Sequence, residues 1–588
     1  MDSEEARRLH NLRHSTAHVM AQAIKHLKPE ARLAIGPPIE DGFYYDIDPE
    51  TPFTEDDLTT IEKTMKRICK ENQRFEKEAW TKEEARQFFG EKDEVFKLEL
   101  IEDIEDENVS IYINNGKDGS SFVDLCAGPH VMRTGQCKHF KLLKLSGAYW
   151  RGDSSNKQLQ RIYGTVWPRR AELDEYLYRL EEAKKRDHRR LGQQLDLFMF
   201  HEYSPGATFW LPRGEELYNT LASRMRGLLK TTGYSVVRTP LLFDEKLWKT
   251  SGHWDHYRDN MFHFPEKSAG AGGKELERNL GMKPMNCPCH MLIFGSRKRS
   301  YRDLPLRIHD QGVLHRNELT GALGGLTRVR QFCQDDAHLF CTEDQIASEV
   351  EQLLALIDHV YKAFDLTYTC QLATRPADKL GDDALWDQAE GALVEALVAR
   401  KLDYTLNEGD GAFYGPKIDF DVYDALGRAH QCATVQLDFQ LPRRFDLSYT
   451  GADNQPHVPV VIHRAIFGSF ERFIAILIEH YGGNFPVWLA PEQVRVLSVS
   501  EKSTAYAQKV VDQLKAAGAK VGYDDSNNKI GYKIRGAHKM KLPYMAIIGE
   551  KEIEGGTVSI RSRDHGDLGS MAVEAFVDRV VEEGRLRF

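Results

Sequence analysis

Apolar residues recur along the opening of the chain at helical intervals. Leu9, Leu12, Val19, Ala23, Ile24 and Leu27 form one stripe, which predicts an amphipathic helix with that stripe buried. His10, His14 and His18 recur every four residues on another face. Turn-rich pieces follow, AIGPPIEDGFYYD and INNGKDGSS. From Pro168 to Gly192 the apolar stripe narrows to Leu173, Tyr176, Leu177 and Leu180 on a heavily charged segment. Such a helix either bridges two domains in solvent or binds a partner. Between Gln193 and Ala490, strand-like runs (YSVVRTPLLF, HQCATVQLDFQL, PVVIH) mix with amphipathic helices in no strict alternation. That favours an α+β domain with a mainly antiparallel sheet. Beyond it, VRVLSVS, KVGYDD, YMAIIG and TVSIRSR read as strands. Thr504–Ala517, NKIGYKIRGAHKMK and a segment from about Ser570 read as helices of a small α/β domain. The expected organisation is 1–167, a charged linker helix 168–192, then 193–490 and 491–588. No repeat is visible, and the low-complexity content is a short AGAGG tract near Gly270.

Composition narrows the class. The chain has 588 residues, 41% hydrophobic, 29% charged and 10% aromatic, which excludes collagen-like, disordered and coiled-coil chains. At about 150 residues per domain, the length suits roughly four domains. Mean hydropathy is −0.51, and no run approaches the ~20 apolar residues of a membrane span. The start, MDSEEARRLHNLRHS, lacks the apolar core of a secretory signal. Nine scattered cysteines fit a reducing cytoplasm better than a disulfide framework. Lys and Arg number 79 against 89 Asp and Glu, a net charge of −10. Indiscriminate binding to polyanions is therefore disfavoured, and a nucleic acid would dock on local basic patches. One candidate patch lies on the second helix of the last domain. Lys529, Lys533, Arg535, Lys539 and Lys541 stand there with no acid among them, and Tyr532 and His538 are interleaved. It reads as a solvated face or as an RNA contact.

The densest chemistry lies in RIHDQGVLHRNELTGALGGLTRVRQFCQDDAHLF, which reads as strand, glycine-rich loop, strand. If TRVRQFCQDDAHLF is a single strand, Arg328, Arg330, Phe332, Gln334, Asp336 and His338 project from one face. Two guanidiniums, an aromatic ring, an amide, a carboxylate and an imidazole form an unusual set for packing alone. They suit phosphate binding by Arg, stacking of a flat ring on Phe332 and receipt of an ammonium at the acidic end. Arg316 and Glu318, two apart on the preceding strand, share a face as well.

HRNE, the glycine loop, RVRQFCQDDAH and HRAIFGSFERFIAIL together resemble the signature motifs of class II aminoacyl-tRNA synthetases. MKPMNCPCH, AFYGPKID, QCATVQLDF, HSTAH and VDLCAGPH make the likeness specific to the threonyl-tRNA synthetase family, over nearly the whole chain. The resemblance implies a multidomain α+β fold. Its parts are an antiparallel class II catalytic core, an N-terminal editing domain and a C-terminal α/β anticodon-binding domain. The implied partners are ATP, L-threonine, tRNA(Thr) and a second copy in a cytoplasmic homodimer without membrane attachment; Pro240 matches the family's dimer-interface motif. The family's further N-terminal ubiquitin-like domain is expected to be lacking, since this sequence starts almost at HSTAH.

By the same resemblance, Arg316, Arg328 and Arg472 are the catalytic arginines that hold the phosphates of ATP with Mg²⁺. Phe332 stacks on adenine, and Glu318, Gln431, Thr434 and Ser469 complete the nucleotide site. Ser469 and Arg472 are three apart, so one helical face can present both. Zinc ligands are implied at Cys287, His338 and His463, which spacing alone would not have connected. Cys289, where the family usually has Gly, offers a competing thiolate. Asp336 pairs with the threonine ammonium, and Gln334, Tyr414 and Gln436 complete that pocket, with Lys417 a weaker candidate. A hydrocarbon pocket separates isosteres such as threonine and valine by only ~10²-fold, whereas a site built around the hydroxyl reaches ~10⁴-fold or more.

Serine shares the hydroxyl and lacks one methyl group, worth only ~1–3 kcal/mol. A second, hydrolytic site is therefore expected, with His14, His18, Cys126 and His130 as candidates, and the family resemblance implies Tyr45, Lys97 and Asp124 beside them. These residues either position water without metal or form a four-ligand zinc site. HSTAH is not a metalloprotease motif, because Ser15 stands where HExxH needs Glu. Asn527, Glu552 and Arg561 match the family's anticodon-reading positions.

Overall fold

The computed structural model describes residues 3–153, 155–269 and 275–585. The AGAGG tract, from Gly270 onward, lies outside them. The chain divides into two units, residues 1–181 and 182–588.

In the first unit the predicted helix runs Ser3–Leu27. Leu9, Leu12, Val19, Ala23 and Ile24 are buried, but Leu27 is 39% exposed. It is the last helical residue, where the stripe runs off the core. The helix packs with the helix Glu55–Glu71 over a sheet ordered Arg32–Leu33, Gly42–Asp48, Gln158–Val166, Phe140–Tyr149. The end of the piece read as turns, GFYYD, thus belongs to a strand. A three-stranded sheet, Glu76–Thr81, Asn108–Asn115 and Ser121–Leu125, carries INNGKDGSS mainly in its hairpin loop. The charged segment is one helix, Arg170–Arg186, then a break at Asp187, whose carboxylate caps a second helix, His188–Gln194. Among its stripe residues only Leu173 is fully buried.

The second unit is built on an eight-stranded sheet. Its order is Ser235–Val236, Leu306–Asp310, Asp336–Cys341, Val460–Ala465, Ala429–Asp438, Lys417–Tyr423, Thr367–Ala373, Tyr404–Asn407. All pairings are antiparallel except the two outermost, which are parallel. The apolar helices Ile346–Ala363 and Phe470–His480 cover one side in a continuous core. YSVVRTPLLF contributes only Ser235–Val236 and Leu242–Asp244 as strands, with exposed Pro240 between them. Downstream, Val521–Asp524, Val494–Ser498 and Tyr544–Ile548 run parallel, and Thr557–Ser562 and then Gly566–Ala572 extend the sheet antiparallel, the latter at its edge. The last helix starts at Val573 rather than near Ser570, because 566–572 closes the sheet. No helix among the described residues is long and apolar enough to cross a membrane.

Candidate active site

The expected single strand TRVRQFCQDDAHLF is two strands, Gln331–Cys333 and Asp336–Cys341, broken at Gln334–Asp335. Asp335 causes the break by turning inward. It pairs with the buried Arg464 at 3.2 Å and accepts the N–H groups of Ile466 and Phe467. Strict alternation therefore fails. Arg330 leaves the common face and donates to the Glu318 carbonyl and the Thr320 hydroxyl.

The remaining residues converge on a cavity of about 550 Å³. Arg316, Glu318, Arg328, Phe332, Gln334, Asp336, Tyr414, Gln431, Thr434, Gln436, Ser469 and Arg472 line it with Cys287 and His463, while His338 lies fully buried beneath. At one end the Arg316 guanidinium sits 5.0 Å from the Phe332 ring centre and donates to the Pro284 carbonyl. Arg328 pairs with Glu318 at 2.9 Å. Arg472 donates to the carbonyls of Thr327 and Gln431. Ser469 is the N-cap of the helix that carries Arg472, its hydroxyl accepts the Arg472 N–H at 3.1 Å, and both residues face the cavity. Thr434 donates to Asp419, and Gln436 to the Gly415 carbonyl. Lys417 points at Asp410 and Asp419 and does not line the cavity.

The loop carrying Arg328 is tethered from a distance. His188 bonds through Nδ1 to Glu479 at 2.7 Å, and its Nε2 accepts the Leu326 N–H at 3.0 Å. No motif pointed to His188.

At the other end, Cys287 opens the helix Cys287–Gly295, while His338 and His463 are directly paired across adjacent strands. One ligand atom from each of the three lies within 4.8 Å of the others. His463 Nε2 is 2.9 Å from Asp438, and His338 Nδ1 is 2.7 Å from His290 Nδ1. The opposite nitrogens, His463 Nδ1 and His338 Nε2, are buried without a partner. Two orphaned imidazole nitrogens beside one thiol form a set that could hold a metal ion, and Asp438 is the kind of carboxylate partner that orients a ligating histidine. Burial, and then the carboxylates of Asp336 and Asp438, hold the Cys287 thiol well above its ordinary range. Burial likewise holds His338 neutral. Cys289 is not in the cluster; it is buried near Thr239 and Lys283. The residues that sequence reasoning missed, Asp438 and Asn286, are partners of His463 and Asp336, recognisable only once those side chains are placed.

The first unit holds a second cavity of about 350 Å³, lined by His14, His18, Tyr45, Lys97, Asp124 and Cys126. Tyr45 donates to Asp124 at 2.8 Å, and the Lys97 ammonium forms an ion pair with the other carboxylate oxygen at 2.7 Å and donates to the Tyr45 hydroxyl. His18 Nδ1 lies 3.7 Å from the same carboxylate. His14 and His130 each place Nε2 3.2 Å from the Cys126 sulfur. The quartet thus splits: His14, Cys126 and His130 converge, while His18 faces Asp124. Ser15 donates to the Asn11 carbonyl and lies 3.1 Å from His130 Nδ1, so that nitrogen is the donor. Burial lowers His18 to about 3 and His130 to about 2, and raises Cys126 to about 11. At neutral pH, then, these imidazoles and the thiol are uncharged.

In the last domain, Asn527 is exposed in a loop, Glu552 accepts the Gly549 N–H within its own helix start, and Arg561 is half-buried on the strand Thr557–Ser562, which is paired on both sides. Lys533 leaves the basic face. It is buried, and its ammonium is held by the carbonyls of Ser498 and Asp524. Lys529, Arg535 and Lys539 remain exposed beside Tyr532.

Family models match in three places. The class II tRNA synthetase core domain (G, H, P, S and T) covers residues 267–481, and the anticodon binding domain 493–583. The second additional domain of threonyl and alanyl tRNA synthetases covers 109–163. The threonine–tRNA ligase of Acetivibrio thermocellus is 52% identical over 97% of this chain and 88% of its own. That of Caldanaerobacter subterraneus is 51% identical over 97% and 86%. A crystal structure of the RNA binding domain of threonyl-tRNA synthetase from Cryptosporidium parvum is 45% identical. It covers 68% of this chain and 98% of its own, with a TM-score of 0.64.

Proposed function

Because the chain belongs to the threonine–tRNA ligase family, we propose that it joins L-threonine to tRNA(Thr) through threonyl-adenylate at the expense of ATP, and hydrolyses seryl-tRNA(Thr) made in error. The observation that carries the reading is one cavity with three arginines and a stacking Phe332 at one end, and Cys287, Asp336 and His463 at the other. Nucleotidyl transfer needs little more from a protein than positioning and positive charge at the phosphates.

Phe332 stacks the adenine. Arg316, carried beside it, takes the α-phosphate as charge develops there in the in-line displacement, and Arg328 and Arg472 hold the outer phosphates with Mg²⁺. Glu318, Gln431, Thr434 and Ser469 supply polar contacts to the nucleotide. Asp336 holds the threonine ammonium, and Gln334, Tyr414 and Gln436 close the pocket. Cys287, His338 and His463 would hold a zinc ion. When bound it supplies open coordination positions for an amine and a neighbouring hydroxyl, which valine cannot fill.

For editing, the neutral imidazoles leave Asp124, anchored by Lys97 and Tyr45, as the charged acceptor that orients water, with His14, His18, Cys126 and His130 around it. Divergence of His18 from the other three favours water positioning over a four-ligand metal site. We assign editing to 1–167, catalysis to 193–490 and anticodon reading, through Asn527, Glu552 and Arg561, to 491–588, with 168–192 as linker. Exposed apolar side chains Val236, Leu241 and Leu242 flank Pro240 and support a homodimer through that face. All nine cysteines are free thiols, in keeping with a cytoplasmic enzyme.

Threonine-dependent exchange of pyrophosphate into ATP tests the assignment. Exchange with threonine and not valine is the expected result; no exchange by zinc-loaded enzyme overturns it.

A further inference from the structure

Asn286 occupies the N-cap of the helix Cys287–Gly295, a position where an Asn side chain ordinarily caps the helix. Here it makes no capping bond. Its amide nitrogen instead donates to Asp336 Oδ2 at 3.0 Å, and its amide oxygen accepts from the Lys283 ammonium at 2.8 Å. An ammonium can only donate. Lys283 therefore dictates which end of the amide faces it, and the NH₂ group is left for Asp336. Lys283 in turn donates to the Thr239 hydroxyl at 2.7 Å, which itself donates to Asp310 at 2.8 Å; Asp310 lies 3.7 Å from the ammonium. Lys283 and Asn286 have no exposed surface, and Asp310 only 2%. Burying an ammonium is costly unless its partners are in place, and here three of them are.

We propose that Asn286, oriented by Lys283, is a specificity-determining positioning residue that presents Asp336 to the ammonium of the incoming amino acid. This rests on the reading of Asp336 given above. One carboxylate oxygen is fixed by the amide. The other has no protein partner among the described residues, and Asp336 lines the cavity. A carboxylate pinned at one oxygen keeps its plane, so its free oxygen meets a cation without reorganising. The turn MKPMNCPCH thereby serves three ends of the substrate pair. Asn286 sets the ammonium acceptor, the next residue is Cys287, and the Pro284 carbonyl holds Arg316.

The test compares binding of the sulfamoyl analogue of threonyl-adenylate with that of its deamino counterpart, by calorimetry on the full-length, zinc-loaded enzyme. Asn286→Ala should weaken the amine-bearing analogue by about 10–100-fold, the scale of a hydrogen bond to a charged group. The deamino analogue should change less than about threefold, and ATP KM and bound zinc should be unaltered. Asn286→Leu, close to the native volume, guards against collapse of the site, and Lys283→Met should reproduce the selective loss from the far side of the amide. Equal weakening of both analogues, or no weakening of either, overturns the proposal. Asp336→Asn separates the two levels. If that variant keeps the preference for the amine, the reading of Asp336 fails; if it loses the preference while the Asn286 variants keep it, only the present inference fails.

Discussion

His338 and His463 stand directly opposite each other on adjacent antiparallel strands, rings 4.5 Å apart and steeply inclined at 81°. Each has one nitrogen engaged, by His290 and Asp438 respectively, and one buried nitrogen left bare. Strand register alone thus sets two donors facing one point, to which the start of a helix adds Cys287.

Purified protein should contain about one zinc per chain, since three such donors suit that ion. Cys287→Ala should lose the metal, measured by mass spectrometry, together with threonine-dependent pyrophosphate exchange. Full activity in the metal-free variant would discard this site.

Asp438→Asn should act through His463 without touching substrate. The carboxylate also accepts the N–H groups of Gln440 and Leu441, so its oxygens are fixed in place. Loss of such an orienting partner typically costs 10–100-fold in metal affinity, readable by competition with a chromogenic chelator.

In the first unit, His14→Ala with His18→Ala, and separately Asp124→Asn, should slow deacylation of seryl-tRNA by about 10²-fold or more, the scale of a lost acid–base or positioning group. Threonylation should continue at its normal rate. Unchanged deacylation would remove the editing assignment.

Acid should destabilise the first unit. His18 and His130 are held neutral by burial, with folded values near 3 and 2 against an ordinary 6.5. Below pH 6.5 the unfolded chain binds protons that the folded one refuses, so stability is complete above 6.5 and falls as pH drops toward the folded values. The slope is about 1.4 kcal/mol per pH unit for each group. Calorimetry from pH 7.5 to 5 should show this unit melting progressively earlier, and His18→Gln should flatten the dependence.

Ser469 has two separable duties. Ser469→Ala should cost about 1 kcal/mol of stability as a lost N-cap and raise KM for ATP. Ser469→Asp keeps a capping oxygen but sets negative charge beside the phosphates, so it should preserve Tm while raising KM further.

What could be read from the one-dimensional chain was whatever depends on near neighbours. The helical stripe from Leu9 to Ile24 is buried, because residues three and four apart share a face whatever surrounds them. The mixed, mainly antiparallel character of the middle region, and most strands of the last domain, followed from local pattern in the same way. Motif resemblance nominated the cavity residues, and all of them but His338 and Lys417 line the cavity. Tertiary structure decided what depends on distant partners. Asp335 breaks the expected continuous strand because Arg464, far along the chain, pairs with it inside the core. Lys533 abandons the basic face for carbonyls of two other strands, and His18 parts from its quartet to face Asp124. Asn286 and Asp438 gained their roles only when the fold brought partners to them. A buried polar group must find a partner wherever the fold supplies one, and spacing along the sequence carries no record of that meeting.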